Sequence, residues 1–264
     1  MILLSRMKKF FQMDYRKTAL LLVICFSFIL GCKKDKCEDT IDQAYVYPVE
    51  KAIGKSYEER IKIFKIPETI LHCLSTEALA KSCLDYPGIG FVWAYNGLQK
   101  GFDQLNTNCN GFDELWERGD KFHALYSLYQ QKNVDRGDWD SHTDLENGLY
   151  LFDIVYVELV ISQYEVLQNL SLSEKTKLFQ LVLDNQKKKV DLIKYYGPVG
   201  MQTSIAILGR IMYLDNYEPL VQEYNSNEMV FLSVSELLMR NYNVVNTIMS
   251  LSEDYLKNLK SKQK

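Results

Sequence analysis

Two stretches of the chain place oxygen and nitrogen ligands at metal-binding intervals. Asn106-x-Asn108-x-Asn110-Gly111, closed by Glu117, has the spacing of an EF-hand calcium loop. Such a loop offers oxygens at alternate positions, turns at a glycine and closes with a bidentate glutamate. Asparagines here replace the usual acids, and Asn106 removes the charge from the most important place. The competing expectation is a polar turn, with Asn110 capping a helix that starts near Phe112. Asp138, Asp140 and His142 also alternate, and the pattern continues into Asp144 and Glu146. In an extended loop these side chains would share one side. The carboxylates suit a hard divalent ion, and His142 would admit a transition metal. Thr143-x-x-Glu146 is also a capping box, which accounts for Asp144 and Glu146 as first-turn acids.

Other chemistry is sparsely signalled. Arg118-Gly119-Asp120 and Arg136-Gly137-Asp138 are both the tripeptide that integrins read, but a glycine after a helical arginine is also a common helix stop. Asp153 and Glu158 interrupt an apolar helical stretch, where a buried carboxylate is an acid–base candidate. Five residues of helix turn them about 140° apart, so pairing with lysine or arginine elsewhere is expected. The three histidines, His72, His123 and His142, form no helical zinc pattern. No G-x-S-x-G elbow, Walker loop or G-x-G-x-x-G occurs. No cofactor is implied.

The elements that would position these groups read as helices. Pro67 suits a first helical position. Apolar residues at 91, 92, 95, 98, 102 and 105 form a helical stripe, followed by a polar loop at 106–110. Short helices are expected at 112–118 and 122–131. Thr143 caps a long helix to about 169, whose middle, 149–161, is apolar nearly all round and reads as the central buried helix. Ser171-x-x-Glu174 caps another, ended by Tyr196-Gly197-Pro198. Helices over 201–214 and 228–249 follow, and Ser250-x-x-Glu253 starts a last one. Gly101-Phe-Asp-Gln-Leu is echoed by Gly111-Phe-Asp-Glu-Leu, too close for a solenoid period. The expected class is all-α: a multi-helix bundle or stacked helical hairpins resembling an α–α superhelix.

Of the 264 residues, 47% are apolar and 5 are proline, enough for a sizeable core. The head, residues 1–31, holds Arg6, Lys8, Lys9, Arg16 and Lys17 against Asp14 alone. Taking these five of the 31 bases and this one of the 34 acids from the chain leaves a body of net −7. That argues against nucleic-acid binding, which calls for a basic face. Without Cys25 and Cys32, four cysteines remain: 37, 73, 83 and 109. They allow three pairings, and no C-x-x-C occurs. As buried small hydrophobes they need no function.

The head itself carries the strongest pattern. Ala19 to Leu30 is an uncharged run of twelve residues behind the basic segment, too short to span a bilayer, which takes about 20. This is the export-signal pattern; Met7 or Met13 is an alternative start. Ile29-Leu30-Gly31-Cys32 resembles the lipobox of bacterial lipoproteins. The resemblance implies cleavage after Gly31, diacylglycerol on the Cys32 thiol and fatty acylation, by palmitate or its like, of the new amine. Lys33 is not the aspartate of inner-membrane retention, so the outer membrane is expected. The expected organisation is a lipoprotein signal at 1–31, lipidated Cys32 with a tether through 65, and an all-helical domain at 66–264. Residues 66–120, with I-P-E-T-I-L-H-C-L, N-G-L-Q-K-G-F and N-G-F-D-E-L-W-E-R-G-D, resemble a helical family of exported Bacteroidetes proteins to which no activity attaches. The expected function is a membrane-anchored, non-enzymatic binding or assembly module of the cell envelope, with an envelope protein or ligand as partner. The alternative is an enzyme or metal-binding protein whose site is assembled from distant residues.

Overall fold

Three helix starts are set by reciprocal capping. Ser56 with Glu59, Thr143 with Glu146, and Ser171 with Glu174 each exchange side-chain and backbone bonds across the first turn. Each satisfies two N–H groups that a helix start leaves open. In the computed structural model, which describes residue 37 and residues 39–263, these helices belong to an all-α, bundle-like fold. The only strand-like pairing among the described residues is one bridge between Ile41 and Leu74. No helix among them is long and apolar enough to cross a membrane. The signal at 1–31 and Cys32 lie outside the described residues.

Thr40–Lys264 is one compact unit. Its helices are α1 (Tyr57–Ile63), α2 (Glu68–Leu71), α3 (Thr76–Leu84), α4 (Leu98–Asn108), α5 (Asn110–Glu117) and α6 (Lys121–Gln130). Then come α7 (Asp144–Ile161), α8 (Tyr164–Leu167), α9 (Leu172–Asp191), α10 (Ile193–Leu214), α11 (Glu218–Ser226), α12 (Glu228–Ser235) and α13 (Asn243–Ser261). Short 3₁₀ turns cover Val49–Ala52, Ile89–Ala94 and Trp139–Ser141.

The centre is α10, not α7 as the sequence suggests. Residues 200–212 of α10 are all buried, with α7, α9, α12 and α13 packed around them. In α7 only Ile154 onward is buried on most sides, and Leu145 and Leu149 are 72% and 61% exposed. Both helices are apolar nearly all round; α10 adds Gly209, whose missing Cβ lets Val234 of α12 approach. Burying each large aliphatic side chain contributes roughly 1.5–3 kcal/mol, and α10 buries Met201, Ile205, Ile207, Leu208, Ile211 and Met212 together with the polar Gln202, Thr203, Ser204 and Arg210.

Several expected boundaries shift. The stop at Tyr196-Gly197-Pro198 is a break inside α10, where Gly197 takes φ 52°; α9 ends at Asp191. The expected helix over 228–249 is two, broken where Leu237 takes φ 47°. Ser250 therefore lies inside α13 and caps nothing. The stripe from Phe91 is a 3₁₀ turn, a break at Gly97 with φ 102°, and then α4. The polar loop at 106–110 is absent: α4 runs to Asn108 and α5 begins at Asn110.

The tether also ends earlier than expected, because residues 41–65 belong to the body. Ile41 N–H donates to the Cys73 carbonyl at 2.8 Å, and Ser75 N–H to the Ile41 carbonyl at 2.9 Å. Tyr47, Ala52 and Phe64 are buried. Tyr45 N–H donates to Ser82 Oγ at 2.8 Å, and the Tyr47 hydroxyl to the Ser82 carbonyl at 3.0 Å. This strap has little helix and no long periodicity, so its aromatic residues carry the information.

Candidate functional site

The strap forms one wall of a cavity of about 360 Å³. Val49, Ile53 and Tyr57 stand on one side, Phe91 and Tyr95 on the other, with α4 contributing Gln104, Leu105 and Asn108. Gly101 lets α4 pack against the 89–94 turn: a Cβ there would meet the Val92 carbonyl oxygen at 2.3 Å. Gly54, at φ 74°, carries the strap around to the Ser56 cap.

The rim of this cavity is apolar yet open to water. Val49 is 47% exposed, Ile53 80%, Tyr57 49%, Phe91 54% and Tyr95 42%. Exposed large hydrophobics gathered around one concavity mark a binding surface, whereas scattered ones carry no message. Tyr57 and Phe91 meet edge to face at 6.1 Å, and Asn108 Nδ2 donates to the Tyr57 hydroxyl at 2.9 Å. Phe64 and Tyr86 line the inner end, and Tyr47 packs against both outside the lining. Tyr47, Phe64 and Tyr86 stand 6.3, 5.6 and 6.1 Å apart, each pair edge to face. Burial pushes the Tyr47 and Tyr86 phenols far up, so both stay neutral. Arg60 is the one charged residue in the lining; its Nε donates to the Lys55 carbonyl at 2.9 Å, and the guanidinium stays at the exposed rim. The cavity offers aromatic faces, one cation and the Gln104 and Asn108 amides, with no carboxylate, histidine or thiol in its lining.

The sequence-level ligand candidates are dispersed. Asn106 Oδ1 accepts from Trp116 Nε1 at 2.8 Å, and Asn108 is held by Tyr57. Asn110 brackets the Ile66 backbone, accepting from its N–H at 3.0 Å and donating to its carbonyl at 2.8 Å. It occupies the first turn of α5, which Cys109 precedes, so it is not the cap that the sequence suggests. Glu117 is the last residue of α5. Helical backbone replaces the calcium loop, and the four residues do not converge. Asp138 pairs with Arg136 Nε at 3.3 Å and His142 Nε2 at 3.2 Å. Asp140 turns away to Lys194 and to the Tyr195 hydroxyl, at 2.9 and 2.7 Å. No group of three or more His, Cys, Asp or Glu among the described residues could hold a metal. Both Arg-Gly-Asp arginines are occupied: Arg118 by Glu114 at 2.8 Å, Arg136 by Asn147 at 2.9 Å and the Tyr150 ring at 5.0 Å.

Two buried ionic centres lie elsewhere. Glu158 and Lys189 are fully buried. Lys189 Nζ donates to both carboxylate oxygens, at 2.8 and 2.7 Å, and to the Gly200 carbonyl at 2.9 Å. The Tyr129 and Thr203 hydroxyls donate to the same carboxylate at 2.7 and 2.6 Å. Asp153, on the opposite side of α7, pairs with Lys132 at the surface. Arg210 is the second centre, also fully buried. It donates to the carbonyls of Val234, Ser162 and Ser235 and to Gln99 Oε1, at 2.7–2.8 Å. Burial pushes both the Lys189 and Arg210 cations down, Lys189 against the pull of Glu158. The charged atoms of Glu158, Lys189 and Arg210 are all held by the protein's own bonds and tie helices together, while Gln186 Nε2, reached from Lys189 through Ser204, is buried without a partner among the described residues.

Sequence reasoning missed the cavity because its first wall lies in the presumed tether. The available signal was the aromatic run Tyr45, Tyr47, Tyr57 and Phe64. Searches with this chain found no matching family model, no matching curated protein and no matching solved structure.

Proposed function

We propose that this is a lipid-anchored binding protein of the bacterial cell envelope that takes a small ligand with an aromatic or aliphatic body and an anionic edge. The observation that carries the reading is the cavity bounded by the strap and the 89–94 turn, ringed by five exposed large hydrophobics with Arg60 at its lip. Aromatic walls supply contact area at small cost in side-chain freedom, and a rim guanidinium supplies orientation. The lining contains hydrogen-bonding and apolar groups and no acid–base pair, which favours binding over turnover.

The test uses anilinonaphthalene sulfonate, whose fused rings and sulfonate match the walls and Arg60. Saturable one-to-one fluorescence enhancement is expected. Phe91→Ala should weaken it at least tenfold, about 1.4 kcal/mol, while Leu149→Ala, on an exposed apolar residue of α7, leaves it unchanged. Equal weakening by both variants would show diffuse surface adsorption instead.

The anchor half of the proposal rests on the lipobox resemblance at Ile29–Cys32 and the basic, apolar segment before it. Two or more acyl chains give stable attachment where one does not. Cys32→Ala is expected to abolish metabolic labelling by a clickable palmitate and to release the protein from the membrane fraction. Undiminished labelling would refute lipidation at this residue.

A further inference from the structure

The wall that carries Val49, Ile53 and Tyr57 is fastened at its two ends and loose between them. At the near end the Tyr45 N–H and the Tyr47 hydroxyl both donate to Ser82, and Tyr47 is buried. At the far end Phe64 and Ile66 are buried, and Asn110 holds both the N–H and the carbonyl of Ile66. Between these points, residues 48–63 bury Ala52 alone, and none of the 7 residues of α1 is buried. Their polar contacts are local: the Ser56–Glu59 capping box, the bond from Arg60 to the Lys55 carbonyl and the Lys55–Glu59 ion pair. Among the described residues, a single hydrogen bond joins 48–63 to the body beyond its flanks. Asn108 Nδ2, at the end of α4, donates it to the Tyr57 hydroxyl at 2.9 Å. The Tyr57 ring also meets Phe91 edge to face.

Such a segment opens on its own. The cost of local opening rises with buried apolar contact and with bonds to the rest of the fold, and here both are small. A helix as short as α1 has little stability once detached. Gly54 sits inside the segment at φ 74°, with no atom within 4 Å of a Cβ placed on it, so nothing hinders the backbone from turning there.

We propose that residues 48–63 are a flap over the cavity, latched to α4 through Tyr57, and that a ligand in the cavity holds the flap shut. The closure rests on the cavity being the ligand's site. A ligand lying between Val49, Ile53 and Tyr57 on one side and Phe91 and Tyr95 on the other touches flap and body at once. It makes contacts that exist only when the flap is closed, and so draws the equilibrium towards closure. The flap also carries Arg60, the only charge in the lining. The roles are thereby divided: Phe91 and Tyr95 receive the apolar part of the ligand on the fixed side, and the flap brings a cation to its anionic edge.

Hydrogen–deuterium exchange of the full chain, read by mass spectrometry, tests this with and without anilinonaphthalene sulfonate. In the free protein, peptides from 49–63 should exchange faster than those from α4. Tyr57→Phe keeps the ring and removes the bond to Asn108. Exchange over 49–63 should then rise about threefold, the effect of losing one modest hydrogen bond, with α10 unchanged. Asn108→Ala should act in the same way from the other side. Saturating anilinonaphthalene sulfonate should slow exchange over 49–63 in the wild-type chain. Exchange over 49–63 as slow as over α4 in the free protein would overturn the flap, whatever the dye does. Exchange indifferent to both variants would overturn the latch. One-to-one dye binding without protection of 49–63 would overturn the closure. A dye that does not bind would sink the cavity as ligand site and closure with it, while exchange in the free protein still decides whether the flap opens.

Discussion

Lys189→Met is expected to destabilise the folded body by about 3–5 kcal/mol, the usual result of removing one partner from a buried ion pair. The Glu158 carboxylate would keep the Tyr129 and Thr203 hydroxyls but lose its counter-charge at a position closed to bulk solvent. The pair itself gives a much smaller net benefit, since desolvation already pushes the Lys189 ammonium down. The double variant Glu158→Gln with Lys189→Met should therefore cost clearly less than the two single variants added together. Urea unfolding followed by circular dichroism measures all three. Strict additivity would show that the two groups are not coupled and would refute this account.

Arg210→Met is expected to have a cost of similar size, by a different route. No carboxylate hydrogen-bonds this guanidinium; it joins backbone carbonyls at the end of α7 and of α12 to Gln99 on α4. Removing it leaves the Ser162 and Val234 carbonyl oxygens, both in buried bonds, and the part-buried Ser235 carbonyl without that donor, at about 1–3 kcal/mol for each buried one before relaxation. Arg210→Lys should recover less than half of the loss, because an ammonium cannot present a planar fork to acceptors on three helices. A lysine variant as stable as the wild type would show that charge alone matters at this position.

The contrast between these centres explains how much of the molecule was legible in its sequence. Caps depend on residues three apart, so Thr143 and Ser171 declare their helices locally, whereas the same pattern at Ser56-x-x-Glu59 sits in the stretch read as tether. Glu158 declared itself as a misfit in an apolar helix, but its partner lies 31 residues away and no periodicity points to it. Arg210 stands in an equally apolar stretch and bonds to residue 99, which no local pattern reveals. Central position was misassigned to α7 because hydropathy reports how apolar a helix is, not how many neighbours surround it. The Gly-Phe-Asp-x-Leu echo has a packing cause that spacing could not disclose. In both copies the phenylalanine and leucine are buried and the aspartate exposed, and Phe102 and Phe112 meet at 5.2 Å. Each glycine marks a close approach, to the Val92 backbone or to the Cys83 sulfur. The cavity was illegible for a simpler reason: its walls come from residues 49–64 and 86–108, and the helical pieces of the first, Val49–Ala52 and Tyr57–Ile63, are too short to show a period.

The strap has a mechanical side. The chain enters the bundle through residues 41–57, held at its start by the two backbone bonds between Ile41 and the 73–75 turn. Tension applied through the N-terminal segment would meet the disulfide-bonded Cys37 before it met those two bonds. A covalent link therefore takes load ahead of the hydrogen-bonded strap and of the 49–57 wall of the cavity.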